Sequence, residues 1–127
     1  MSKFMQSLIL CSLITCGVVT ASEPSESKES YRVLQFENDL VKVWKTVIMP
    51  HQPLSFHRHD CSRVVVGLKG GSLTKIEETG ERSSLVFETG KAYWLTEDLP
   101  GTLHADINES DDPIEVMVIE YKASRKE

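Results

Sequence analysis

His57-Arg58-His59-Asp60-Cys61-Ser62-Arg63-Val64-Val65-Val66-Gly67-Leu68-Lys69-Gly70 runs from two imidazoles, two residues apart, into a valine-rich segment that stops at Gly70-Gly71. Successive side chains on a β-strand point to opposite faces, so a strand through Leu54–His59 would present His57 and His59 on one side. The chain has 4 histidines, and a third, His104, lies in Gly101-Thr102-Leu103-His104-Ala105-Asp106-Ile107-Asn108, just after a Pro100-Gly101 turn. A β-barrel can carry that segment beside the first pair. Imidazole nitrogens suit Zn, Fe, Ni, Cu and Mn, and three protein donors with open positions describe a site that also holds water or substrate. His57, His59 and His104 are therefore the candidate metal ligands, with a divalent Fe, Mn, Zn, Ni or Cu ion as cofactor. Histidines that face solvent or are satisfied in a core produce the same isolated pattern.

Outward from these stretches the texture is uniformly β. Tyr31–Phe36, Leu40–Met49, Leu54–His59, Arg63–Leu68, Ser72–Glu77, Ser83–Phe87, Lys91–Leu95, Thr102–Ile107 and Ile114–Tyr121 are short apolar or alternating runs. Asn38-Asp39, Pro50, Pro53, Gly70-Gly71, Gly80, Gly90, Pro100-Gly101 and Asn108 to Pro113 separate them. No window carries a helical stripe, and many short strands with regular turn signals predict an all-β sandwich or barrel. Phe56, Phe87, Tyr93 and Trp94 have strand spacing, which predicts core rather than a binding surface.

The two histidine stretches resemble the two motifs of the cupin superfamily. His57, His59 and Gly70 match the first motif, an HxH followed by an acid and then a glycine. Gly90, Gly101, His104 and Asn108 match the second, whose GxxHxxxN tail fits Gly101 to Asn108 residue for residue. Asn38-Asp39, Val41-Lys42-Val43-Trp44 and His57-Arg58-His59-Asp60 add the texture of short single-domain cupins. The resemblance implies a cupin-type jelly-roll β-barrel over residues 31–127, a small-molecule pocket and a homodimer. It also implies a divalent metal held by three His and one Glu.

The departures from the motifs are chemically specific. Arg63 stands where the resemblance places the metal-binding Glu, and a guanidinium has no acceptor and repels cations. His51 replaces the first Gly, Thr96 replaces a Pro, and the stretch from Gly90 to Gly101 is three residues longer than the pattern, which predicts a reshaped loop over Thr96–Pro100 at the barrel mouth. Arg63 has three readings: it binds a substrate carboxylate or phosphate in the pocket, it turns outward to an acid such as Glu88, or the metal site is dead. Asp60 as a substitute ligand meets the objection that it should face away from His59. Cys61 shares the parity of His59 if the strand continues, where its thiolate would be a soft ligand or a redox-sensitive group, and otherwise reads as a small buried hydrophobe.

The chain ends bear on location. Lys3, the apolar run Leu8–Val19 and Val19-Thr20-Ala21 make residues 1–21 a signal peptide cleaved after Ala21. The run falls short of the about 20 apolar residues a membrane span needs. Residues 22–30, SEPSESKES, read as a disordered linker. The product is then exported, periplasmic or secreted; a looser lipoprotein pattern around Cys16 would instead tether it to a membrane. Losing Lys3 moves the formal charge from −5 to −6, and acidic, scattered charge excludes a nucleic-acid footprint. Cys61 alone remains of 3 cysteines, so no internal disulfide can form and core burial must hold the domain.

Two functions fit these observations. One is a divalent-metal-dependent enzyme acting on a small organic acid that Arg63 anchors. The other is a non-catalytic module binding a small anionic ligand, with Arg63 in place of the motif Glu. Expressed from its full sequence in a bacterial host, the protein is expected as a homodimer that begins at Ser22. Intact mass and light scattering check both points; retained residues 1–21, a lipid adduct on Cys16, or a monomer mass would each remove the matching expectation.

Overall fold

A computed structural model describes residues 29–122; the signal-peptide reading, all of the linker but Glu29 and Ser30, and the last five residues lie outside them. Nine strands follow one another: β1 (Tyr31–Glu37), β2 (Val41–Ile48), β3 (Leu54–His57), β4 (Arg63–Lys69), β5 (Gly71–Glu77), β6 (Arg82–Phe87), β7 (Ala92–Leu95), β8 (His104–Ile107) and β9 (Ile114–Tyr121). They form a five-stranded sheet, β1-β2-β9-β4-β7, and a four-stranded sheet, β3-β8-β5-β6. All named pairings are antiparallel, and neighbours such as β2 with β9 and β3 with β8 are distant in sequence. This is the all-β class that the strand pattern predicts and the jelly roll that the cupin resemblance implies.

Alternation decides what each strand puts inside. Ile48, Val65, Leu73, Phe87, Ile114, Val116 and Val118 form the core between the sheets, with Trp44, Leu54, Leu85, Tyr93 and Leu95 packed against it. Register agrees: Ile48 faces Ile114 across β2 and β9, and Val65 faces Val118 across β4 and β9, each pair sharing the inner face. Of the four aromatics expected in the core, Phe87 and Tyr93 pack edge to face, whereas Phe56 and Trp94 are exposed. Both exposed rings sit at outward parity, one residue from inward His57 and Leu95.

Two motif positions fix turns. A Cβ on Gly70 would run into the Phe87 carbonyl oxygen, so this glycine serves close backbone approach. His51, at the position of a motif glycine, adopts φ 58°. Its N–H donates to the Asn108 carbonyl at 2.7 Å, so the left-handed turn is kept although its cost to a residue with a Cβ is about 1–2 kcal/mol.

Asn108, the last residue of the second motif, is fully buried. Its amide donates to the Ile48 carbonyl at 3.0 Å and the Asp112 carbonyl at 2.7 Å, and its Oδ1 accepts from the Ser110 N–H at 3.0 Å. It ties the end of β8 to β2 and to the β8–β9 turn. Asn108→Ala strands several buried polar groups at once and is expected to destabilise the fold by about 2–3 kcal/mol. Urea denaturation checks this; a loss under about 0.5 kcal/mol, the range of ordinary surface substitutions, would contradict the tie.

Candidate metal centre and its pocket

A cavity of about 450 Å³ opens between the sheets. Its walls include Ile48, Leu54, Leu73, Leu85 and Phe87, and its polar side is built by His57, His59, Arg63, Asp98, His104 and Asp106. An apolar body with a few convergent polar groups is the usual make-up of a small-molecule site.

The three histidines meet. His57 and His104 are direct cross-strand partners in β3 and β8, with ring centroids 4.5 Å apart. One donor nitrogen from each of His57, His59 and His104 lies within 4.8 Å of the others. The route to His59 differs from the sequence expectation. β3 ends at His57, and His59 returns to the cluster from the following loop rather than by alternation along one strand.

The inserted loop holds it there. The His59 N–H donates to Asp98 Oδ2 at 2.7 Å, and the Asp98 N–H donates to the His59 carbonyl at 2.9 Å. Arg58 adds a contact to the Leu99 carbonyl at 3.3 Å. The stretch over Thr96–Pro100, expected to reshape the mouth, thus clamps the loop that carries His59.

Ring orientations leave lone pairs free to converge. His57 Nδ1 donates to the Ser55 carbonyl at 2.7 Å, which leaves its Nε2 as an acceptor on the cavity side, where it takes a 3.2 Å hydrogen bond from His59 Nε2 that a shared cation would replace. His104 Nδ1 lies 3.4 Å from Asp98 Oδ2. An imidazole whose far nitrogen faces a carbonyl or carboxylate is the arrangement found around bound metals. The donor set therefore fits a divalent cation. Burial, then the Arg63 guanidinium and His57, push His59 down to about 3, so it holds the neutral form that coordinates. Burial pushes the Asp98 carboxyl up, but the His59 N–H, His104, His59 and Arg63 together bring it below the usual range.

Arg63 points inward. It is 7% exposed and lines the cavity, and it donates to the Thr96 carbonyl at 3.2 Å. The outward pairing with Glu88 does not occur, because Glu88 pairs with Lys91. Burial lowers the Arg63 pKa while Asp98, Asp106 and Glu120 oppose that, and a guanidinium stays charged regardless. Asp60 takes no part: it is exposed and accepts from Arg58 at 2.5 Å. Cys61 is a half-buried free thiol outside the cavity wall; β4 begins at Arg63, so no continuous strand gives it the parity of His59.

Two acids went unread in the sequence, Asp98 and Asp106. Asp106 is two residues from His104 within β8, so strand alternation puts its carboxylate on the inner face. Asp98 has no such signal, since only the folded loop brings it to His59.

No protein-family model matches the sequence, nor does any curated protein. Solved structures do. A cupin domain from Bordetella pertussis is 28% identical over 79% of this chain and 100% of its own, with a TM-score of 0.66. An RmlC-like cupin with a double-stranded β-helix from Methanocaldococcus jannaschii has 14% identity, 79% and 86% coverage, and a TM-score of 0.57. The polyketide cyclase RemF from Streptomyces resistomycificus has 15% identity, 74% and 66% coverage, and a TM-score of 0.55. The last two are likenesses of fold.

The depressed His59 pKa has a pH signature. Its unfolded value is near 6.5 and its folded value about 3, so between these the unfolded chain binds the extra proton. Stability is then full above about pH 6.5 and declines as pH falls toward 3. Urea melts of metal-free protein at pH 7.5, 6 and 5 are expected to show this loss, with a shallower slope in His59→Gln. Equal slopes in the two proteins would place the acid sensitivity elsewhere.

Proposed function

We propose that this chain, a single-domain protein of the cupin superfamily, is an exported, divalent-metal-dependent enzyme acting on a small organic acid. The observation that carries the reading is Arg63. Among the described residues it is a buried cation with no carboxylate within ion-pair distance, while Arg32 pairs with Glu120 at 3.1 Å and Lys75 with Glu77 at 2.6 Å. A buried charge without a direct partner is costly, and a ligand carboxylate or phosphate taken in the planar fork removes that cost.

The rest of the pocket is consistent with such a ligand. The Thr46 hydroxyl lines the cavity and has no hydrogen-bond partner, so it is available to a second polar atom. Ile48, Leu73 and Phe87 supply an apolar wall for the body of the molecule. His57, His59 and His104 would hold the metal, which supplies Lewis-acid polarisation of a carbonyl or activation of water when bound. Asp98 fixes the His59 backbone and faces His104, orienting two of the three ligands. Export rests on the pattern of residues 1–21.

Arg63 in place of an acid also supports a second reading, a non-catalytic module for the same anionic ligand. Both share the ligand class and differ in turnover and metal.

The test is elemental analysis of protein purified without chelator or His-tag, followed by melts with a panel of small carboxylates. Near-stoichiometric metal that His57→Ala and His104→Ala abolish is expected, with a carboxylate-induced rise in melting temperature that Arg63→Met removes. Conversion of the bound acid supports the enzyme. Unchanged acid with an empty metal site would leave only the binding module, and no response to metal or carboxylate would overturn both.

A further inference from the structure

Asp106 is the least satisfied group of the cavity. It is 7% exposed, yet its Oδ1 is buried with no hydrogen-bond partner. Its Oδ2 lies 3.5 Å from His57 Nε2 and 3.6 Å from His104 Nε2, beyond normal hydrogen-bond length. A carboxylate removed from water without hydrogen bonds carries a heavy desolvation penalty unless it meets a cation. Arg63 lies close enough to feel its field but makes no ion pair with it.

The atoms around Asp106 suggest which cation. His57 Nε2 is 3.2 Å from His59 Nε2, 3.5 Å from Asp106 Oδ2, and His104 Nε2 is 3.6 Å from the same oxygen. Donors sharing a four-coordinate dication at roughly 2.1 Å stand about 3.4 Å apart. The two gaps to Asp106 exceed a normal hydrogen bond, and together with the 3.2 Å His57–His59 hydrogen bond they match the spacing of donors around a common centre. The far nitrogens of His57 and His104 face Ser55 and Asp98, so the near ones are free to bind.

We propose that Asp106 is the fourth metal ligand, supplying from β8 the carboxylate that Arg63 displaced from β4. The inference rests on the metal reading above. It makes the donor set three imidazoles and one carboxylate, and it releases Arg63 from neutralising Asp106, leaving the guanidinium to the anionic ligand.

The experiment titrates metal-free protein with Co(II), reading visible absorption and dissociation constant for wild type, Asp106→Asn and His57→Ala. Wild type is expected to bind one Co(II), His57→Ala to lose it, and Asp106→Asn to bind at least about tenfold more weakly with an altered d–d spectrum. Asp106→Asn with wild-type affinity and spectrum overturns the Asp106 assignment while leaving the three-His site standing. Wild type that binds no Co(II) overturns both. Should Asp106→Asn fail to fold, the infrared difference spectrum of 13C-aspartate-labelled wild type, with and without Co(II), decides: a shifted carboxylate band supports ligation, and an unmoved one overturns it.

Discussion

The antiparallel pairing of β3 with β8 is the constraint on which the site depends. It joins segments almost fifty residues apart and sets His57 directly against His104. Because side chains alternate, that register also decides the rest of β8: Asp106 joins His104 on the inner face, while β5 on the other side aligns Lys75 with Asp106. A slip of one residue would turn both groups outward and fill the cavity with Ala105 and Ile107. Asn108 resists such a slip, since its buried amide ties the strand end to Ile48 and Asp112. The polar floor of the cavity and a buried hydrogen-bonded knot therefore lie on one short strand and the residue that follows it.

Electrostatics divides the cavity into two sides. Arg63 enters from β4, in the five-stranded sheet, and the His57–His104–Asp106 group belongs to the four-stranded sheet. A guanidinium inside a barrel with a cation site would ordinarily depress cation affinity by repulsion. Asp98 and Asp106 temper this, both acting on Arg63, and Asp98 is anchored on the loop that also accepts the Arg63 donor through Thr96. The inserted loop thus serves both sides: it clamps His59 and it seats Arg63.

Much of this was legible in the residues. The spacing of turn signals announced nine β-segments, and HxH with GxxHxxxN named the three histidines that meet. What stayed hidden depended on loop geometry and on reading one rule too narrowly. His59 reaches the cluster although β3 stops at His57, because Asp98 captures its backbone; no periodicity encodes a contact across 39 residues. Asp106 is legible by the same i, i+2 argument, since it lies two residues from His104, but it stands far from residue 63, where the motif carries its acid. Phe56 and Trp94 misled because strand composition gives period and not phase: their neighbours His57 and Leu95 face inward, so they cannot.

The substitution at position 63 and the acid at 106 are best understood together. Replacing a carboxylate by a guanidinium in a metal site changes the local charge by two units, and a buried site cannot absorb that change without another anion. Under the proposal Asp106 is that anion, placed on β8 beside the same histidines. With the acid on β8, the place on β4 becomes free for a group with another task, and Arg63 meets that description: buried, planar, charged, and bonded to a single carbonyl. On the proposed reading the barrel would offer a dication and a guanidinium to one molecule from two walls, an arrangement suited to an acid whose carboxylate is held at one end while its reactive part lies at the other.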